Sequence, residues 1–175
     1  MRRTLYKSLS SAYKNHPRCF GELRRSWMMR GAHPPAMCVL SVEQITWQEA
    51  MTEAFEMAEG TRGALKKVST RCENNLDDLA SIVRQQLGPL ERRTAEALLV
   101  IGVHERDTTE ALREADATHV GDFEWQRQLR YNWEADQENC IIRQARAMYR
   151  FGYEYVIATR DRLETLRRAH CYPGQ

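Results

Sequence analysis

The sequence predicts a mainly α-helical protein: a long helical hairpin with shorter helices around it, and a short β element near the C-terminus. Three observations carry this. Apolar residues recur in steps of three and four from Trp47 to Leu87, the repeat that lines one face of a helix. A Gly88-Pro89 step follows, where glycine ends one helix and proline opens the next. Past Gln137 the apolar repeat shortens to two, the period of a strand.

Taken in order, residues 3–15 read as a short amphipathic helix, with Leu5, Leu9, Ala12 and Tyr13 near helical spacing and Pro17 at or just past its end. Gly31 and Pro34-Pro35 mark a connector. The apolar run Met37 to Leu40 fits either a strand or a helix entry. A long helix is expected from about Val42 to Leu87, with the stripe Trp47, Met51, Phe55, Ala58, Leu65, Val68, Cys72, Leu76, Leu79, Val83 and Leu87; Gly60 and Gly63 predict a kink or break at its middle. The second limb should run from Pro89 to Ala117, burying Leu90, Leu98, Ile101 and Leu112. Its segment Ala97 to Ile101 is apolar all round and requires neighbours on several sides.

Gly121-Asp122 then predicts a third helix, with Asp122 as a side-chain N-cap. Phe123, Trp125, Leu129 and Trp133 would be its packing anchors, the last three stacked at i, i+4. From Ile141 to Phe151 the odd positions are mostly apolar, and Tyr153, Tyr155 and Ile157 repeat the alternation after Gly152. Two short strands around a bend are expected, without a further sheet to join. Ala145, Ala147 and Met148 keep a helix open for that stretch. A terminal helix over about 160–169 completes the expectation.

The 175 residues fit one domain with a real core, and the net charge of +2 says little as a total. Its distribution says more: residues 1–30 carry eight Lys/Arg against the single acid Glu22, leaving a net of −5 for the remainder. Such an arm suits an acidic partner, a nucleic acid or tubulin; it equally suits a solvated amphipathic helix with basic edges. The longest apolar run, Ala97 to Val103, is far short of the roughly 20 residues that span a bilayer. The five cysteines are odd in number and scattered, with no C-x-x-C spacing, so reduced thiols are expected.

Chemistry is sparse. No Gly-Lys dipeptide and no G-x-G-x-x-G occurs, so the glycine-rich loop that wraps phosphate with backbone amides is missing. His104-Glu105-Arg106-Asp107 has no second His at i+4 to make a zinc pair and reads as a polar helix surface. His170-Cys171 are adjacent, which rarely orients a thiolate–imidazole pair. Phe123 to Trp133 with Arg127 and Arg130 could stack bases, but Glu124, Glu134, Asp136 and Glu138 would repel phosphate, making nucleic acid an unfavoured partner.

Four segments together resemble one family, the dynein heavy chains. Leu90-Glu91-Arg92-Arg93-Thr94 through Ala97-Leu98-Leu99-Val100-Ile101-Gly102-Val103-His104-Glu105-Arg106-Asp107 resembles the string L-x-R-x-T-L-G-A-L-V-V-I-D-V-H-A-R-D. Val120-Gly121-Asp122-Phe123-Glu124-Trp125-Gln126-Arg127-Gln128-Leu129-Arg130-Tyr131-Asn132-Trp133 is similar to V-N-D-F-E-W-L-S-Q-L-R-Y-Y-W. Phe151-Gly152-Tyr153-Glu154-Tyr155 resembles Y-G-Y-E-Y-L-G, and, more weakly, the stretch from Pro35 to Trp47 resembles P-G-Q-V-V-L-x-V-S-Q-I-Y-W. Gly102 and Glu105 stand where the family string has Asp and Ala, and Val156-Ile157 where it has Leu-Gly.

The resemblance implies the C-terminal part of the dynein linker running into the first AAA+ module, closer in wording to axonemal than to cytoplasmic dyneins. It divides the chain into a basic arm and connector (1–36), a helical linker-like region (37–137) and the start of a truncated AAA+ module (138–175). It implies a mechanical element of a minus-end-directed microtubule motor ATPase, with ATP and Mg belonging to the parent and no cofactor, metal or catalytic residue in this chain. It also implies as partners the rest of the heavy chain with its AAA+ ring and the dynein intermediate and light intermediate chains, and the cytoskeleton of a cilium or flagellum as location. Gly152, Tyr153, Glu154 and Tyr155 would be the hinge to the ring. The alternative is a stand-alone helical interaction module that binds an acidic partner through its basic N-terminus.

Overall fold

The computed structural model describes residues 2–18, 21–29, 35–57 and 61–152. The chain is mainly helical: α1 (Arg2–Lys14), α2 (Glu22–Met29), α3 (Ala36–Glu56), α4 (Thr61–Val83), α5 (Pro89–Glu114) and the single turn α6 (Phe123–Gln126) precede strands β1 (Arg130–Glu134), β2 (Asn139–Gln144) and β3 (Ala147–Arg150). The strands form an antiparallel sheet in the order β1-β2-β3. Among the described residues, no helix is long and apolar enough to cross a membrane.

The hairpin is present, but its first limb is two helices. Met57, at the end of α3, has extended backbone angles (φ −69°, ψ 99°), which breaks the helical run. Gly63 instead lies inside α4, with open space where a Cβ would project. Met37 to Leu40 form the first turn of α3. The α4–α5 corner follows the expected punctuation: Pro89 is the first residue of α5, and the Gly88 amide donates to Glu91 Oε2 at 2.9 Å. This supplies a partner for an amide with none inside the helix.

Helix α5 stops at Glu114, three residues early. The Ala117 amide donates to Leu112 O and the Asp116 amide to Arg113 O, while Asp116 takes the left-handed conformation at φ 51°. This is the double-bonded closure usually built on glycine; an aspartate there gave no sequence signal.

Helix α3 is the central strut, because it borders all three parts of the core. Met51, Phe55, Leu65, Val68, Cys72, Leu112 and Trp125 form one cluster. Met28, Val39, Leu79, Ile82, Ala95 and Leu98 form the second, beneath α2. Leu9, Ala12, Cys38, Val42, Ile45 and Cys140 form the third, joining α1 and α3 to the sheet. Buried positions therefore occur around much of α3, including Ser41, Glu43, Thr46 and Gln48, so a single stripe describes it poorly.

The region after Gly121 departs most from expectation. Helix α6 ends after one turn, and Trp133 lies on β1 rather than on a helix with Trp125. The stretch expected as one strand before Gly152 forms two, β2 and β3, and these have a sheet to join: β1 pairs with β2 from Arg130↔Arg143 to Glu134↔Asn139. Within the first of the two expected strands there is a bend at Ala145, which has φ 49°; the second expected strand, from Tyr153 to Ile157 after Gly152, lies outside the described residues. A non-glycine residue holding left-handed backbone hid the hairpin turn. The boundary expected at 137–138 falls in the turn between β1 and β2. Tyr153, Glu154, Tyr155 and the expected terminal helix lie outside the described residues.

Candidate functional site

Trp125 is fully buried. Helix α6 inserts its indole between Trp47 of α3 (ring centroids 5.7 Å, edge-on) and Phe55 (5.4 Å). The Arg130 guanidinium lies 5.8 Å from its ring centroid and donates to Gln126 Oε1 at 2.7 Å. One aromatic residue thus joins α3, α6 and the start of the sheet. Trp133 makes a separate contact, stacking on Tyr13 of α1 at 4.6 Å. The other two candidate anchors face outward: Phe123 is 71% exposed and Leu129 38%. With α6 reduced to one turn, the i, i+4 register that would have buried Leu129 and Trp133 with Trp125 does not exist.

Asp122 holds the N-cap position of α6 but makes no cap bond. Its Oδ2 accepts from the Thr118 and His119 amides at 2.7 and 3.0 Å, and His119 Nδ1 accepts from the Gly121 amide. The carboxylate therefore ties the turn before α6. The His119 bond, followed by the Thr118 bond, holds its pKa below the ordinary value because both favour the charged form. Gly152 is exposed just beyond β3.

A second constellation sits where α2, α3, α4, α5 and the segment after α1 converge. Arg24, only 1% exposed, donates from Nε to Glu43 Oε1 at 3.1 Å, with Nη2 2.9 Å from Oε2 and Nη1 3.5 Å from Asp78. His16 Nε2 lies 3.4 Å from Glu43 Oε1. Burial alone would raise the Glu43 pKa, but the His16 hydrogen bond and the Arg24 charge outweigh it and hold the carboxyl below its ordinary value. Beside them a cavity of about 30 Å³ is lined in part by Arg24, Glu43, Asn75 and Glu105.

Glu105 is buried at 4% exposure, which corrects the expectation of a polar surface across residues 104–107. Burial, then the Glu43 charge, push its pKa well above the ordinary value. The signal was available: Leu98, Gly102, Glu105, Thr109 and Leu112 are all buried at helical spacing on α5. Gly102 permits the approach of α4, since a Cβ there would lie 3.0 Å from Leu76 Cδ2.

Three of the eight basic residues of the N-terminal segment are engaged within the molecule, one in the interior and two in surface pairs. Arg24 is buried, Lys14 pairs with Glu138, and Arg18 pairs with Glu49. These contacts remove three of the cations on which binding of an acidic partner would depend. Arg127 pairs with Glu124, and Arg130 is buried, so the aromatic–arginine helix considered for base stacking is not formed.

The arrangement defines a helical structural element, braced through aromatic anchors and a buried charge cluster. Its sequence is 37% identical to dynein axonemal heavy chain 6 of Homo sapiens over 153 residues, which are 87% of this chain and 4% of that protein. It is 32% identical to the dynein-1-beta heavy chain of the flagellar inner arm I1 complex of Chlamydomonas reinhardtii over 117 residues, 67% of this chain and 3% of that one. Dynein axonemal heavy chain 12 of Homo sapiens is 31% identical over 156 residues, 89% of this chain and 5% of the relative. No protein-family model matches. The chain belongs to the dynein heavy-chain family, and it spans about 4% of the length of the first of these relatives.

Proposed function

We propose that the chain is a mechanical segment of an axonemal dynein heavy chain, corresponding to the C-terminal part of the linker that leads into the first AAA+ module. In this role it carries force between elements and performs no chemistry of its own. ATP and Mg are bound elsewhere in the parent motor, because no Gly-Lys step is present here to hold a phosphate. The rest of the heavy chain, with the intermediate and light intermediate chains, supplies its partners, and the axoneme of a cilium or flagellum is its location.

The observation that supports this reading is the contrast between a closed core and apolar residues left outside it. Val100 (63% exposed) and Val103 (40%) lie on the outer face of α5, with Leu90 (64%) at its start and Phe123, Met148 and Tyr149 exposed further along the chain. Helix α5 was expected to need neighbours on several sides, and only part of it finds them within the described residues. A segment surrounded by its own parent chain would cover such residues.

The test places this chain in the Chlamydomonas dynein-1-beta heavy chain, in exchange for the matching segment, and measures ATP turnover and microtubule gliding together. The expected result is that the exchange supports both. Trp125→Ala in the exchanged segment should slow gliding while ATP turnover continues, because the brace between α3 and the sheet is lost. Equal loss of both, or of neither, would overturn the mechanical assignment.

A further inference from the structure

The outer face of helix α5 has a mirrored pattern of charge and apolar surface about its middle. Val100, 63% exposed, stands at the centre of the face. Three residues to either side lie Ala97 and Val103, four to either side Glu96 and His104, and seven to either side Arg93 and Asp107. Steps of three, four and seven keep these side chains on one helical face. Ala97 is half-buried and the others are exposed. Each position before Val100 has its complement at the mirror position after it: a small apolar group and an apolar one, an acid and an imidazole, a guanidinium and a carboxylate.

We propose that this face of α5 is a twofold interface for a second copy of the chain, docked antiparallel with the two Val100 side chains meeting at the axis. In a twofold contact, residue i touches j of the partner and j touches i. Antiparallel helices centred on Val100 set each position against the one equally far on its other side. Arg93 then meets Asp107 of the second copy, Glu96 meets His104, and Ala97 and Val103 close around the valines. Arg93 has no ion pair among the described residues. Both bonds that Arg106 gives Asp107 fall on Oδ1, so Oδ2 is open to a second guanidinium. A parallel docking would set Arg93 on Arg93, Glu96 on Glu96 and Asp107 on Asp107, and like charges oppose it. The antiparallel arrangement also opposes the two helix dipoles favourably. The apolar centre is small, so the pairing belongs to the weak, concentration-dependent class. It stands apart from the mechanical reading, and Phe123, Met148 and Tyr149 take no part in it.

Sedimentation equilibrium of the full 175-residue chain, from about 10 µM to about 1 mM, tests this. The natural chain should show a monomer–dimer equilibrium that weakens as salt rises, because the charge pairs at the rim are exposed. Arg93→Glu sets two acids together at both ends of the seam and should weaken dimerisation about tenfold or more. Asp107→Arg sets two guanidinium groups together there and should do the same. The double variant restores both pairs with their polarity reversed and should recover most of the lost affinity. Val100→Asp brings two carboxylates to the axis and should leave a monomer. All three positions are exposed, and circular dichroism checks that each variant keeps its helix content. A natural chain still monomeric at about 1 mM would overturn the interface. So would a dimer that survives Val100→Asp or is weakened by neither charge reversal, or a double variant no tighter than the single ones.

Discussion

Replacing Trp125 by alanine separates the anchor that is buried from the one that only shares its motif. An indole buries about 200 Å², and at about 25 cal/mol per Å² its removal forfeits about 5 kcal/mol of transfer free energy. Partial collapse of the surrounding cluster recovers some of this, which places Trp125→Ala at about 3–5 kcal/mol. The losses include the ring contacts with Trp47 and Phe55 and the cover over Arg130. Phe123, 71% exposed, has little to lose, so Phe123→Ala should cost less than about 1 kcal/mol. Urea unfolding followed by far-ultraviolet circular dichroism measures both. A cost below about 1 kcal/mol for Trp125→Ala, or equal costs for the two, would refute the burial of Trp125 between α3 and the sheet. Trp125→Phe is an informative control, since the indole N–H has no hydrogen-bond partner; it should be markedly milder than alanine.

Other substitutions probe the charges and the backbone. Glu43→Gln removes the carboxylate charge that the buried Arg24 pairs with and should destabilise by about 3–5 kcal/mol in the same unfolding assay. Because the Glu43 pKa is lowered in the fold, its contribution is complete above the ordinary value of 4.5 and fades as pH falls through the folded value. An acid titration of stability should lose that component in Glu43→Gln. Glu105 has the opposite sign: its contribution is complete below 4.5 and is lost as pH rises through its raised folded value. Glu105→Gln should therefore flatten the alkaline side of the stability profile. Gly63→Ala, in an open helical position, should stabilise by about 0.5–1 kcal/mol. Asp116→Gly should stabilise by about 1 kcal/mol by relieving the left-handed backbone at φ 51°, seen as a higher melting temperature.

What the sequence determined was set by local chemistry. The period of the apolar residues placed α4 and α5, Gly88-Pro89 placed their corner, and the motif strings placed the chain among the dynein heavy chains. What it missed depended on contacts between distant residues. The aromatic run from Phe123 to Trp133 has helical spacing, yet β1 begins at Arg130 because hydrogen bonding to β2 and the packing of Tyr131 and Trp133 beside α1 and α3 outweigh a weak local preference. Two closures, at Asp116 and Ala145, use left-handed residues that are not glycine, so no punctuation marked them. Glu105 lay on a legible stripe of α5 among Leu98, Gly102 and Leu112. Only the arrival of Glu43, Arg24 and Asn75 from three other helices gave it a buried environment and an altered affinity for a proton. A one-dimensional pattern shows which face a residue takes, and tertiary structure alone decides what that face meets.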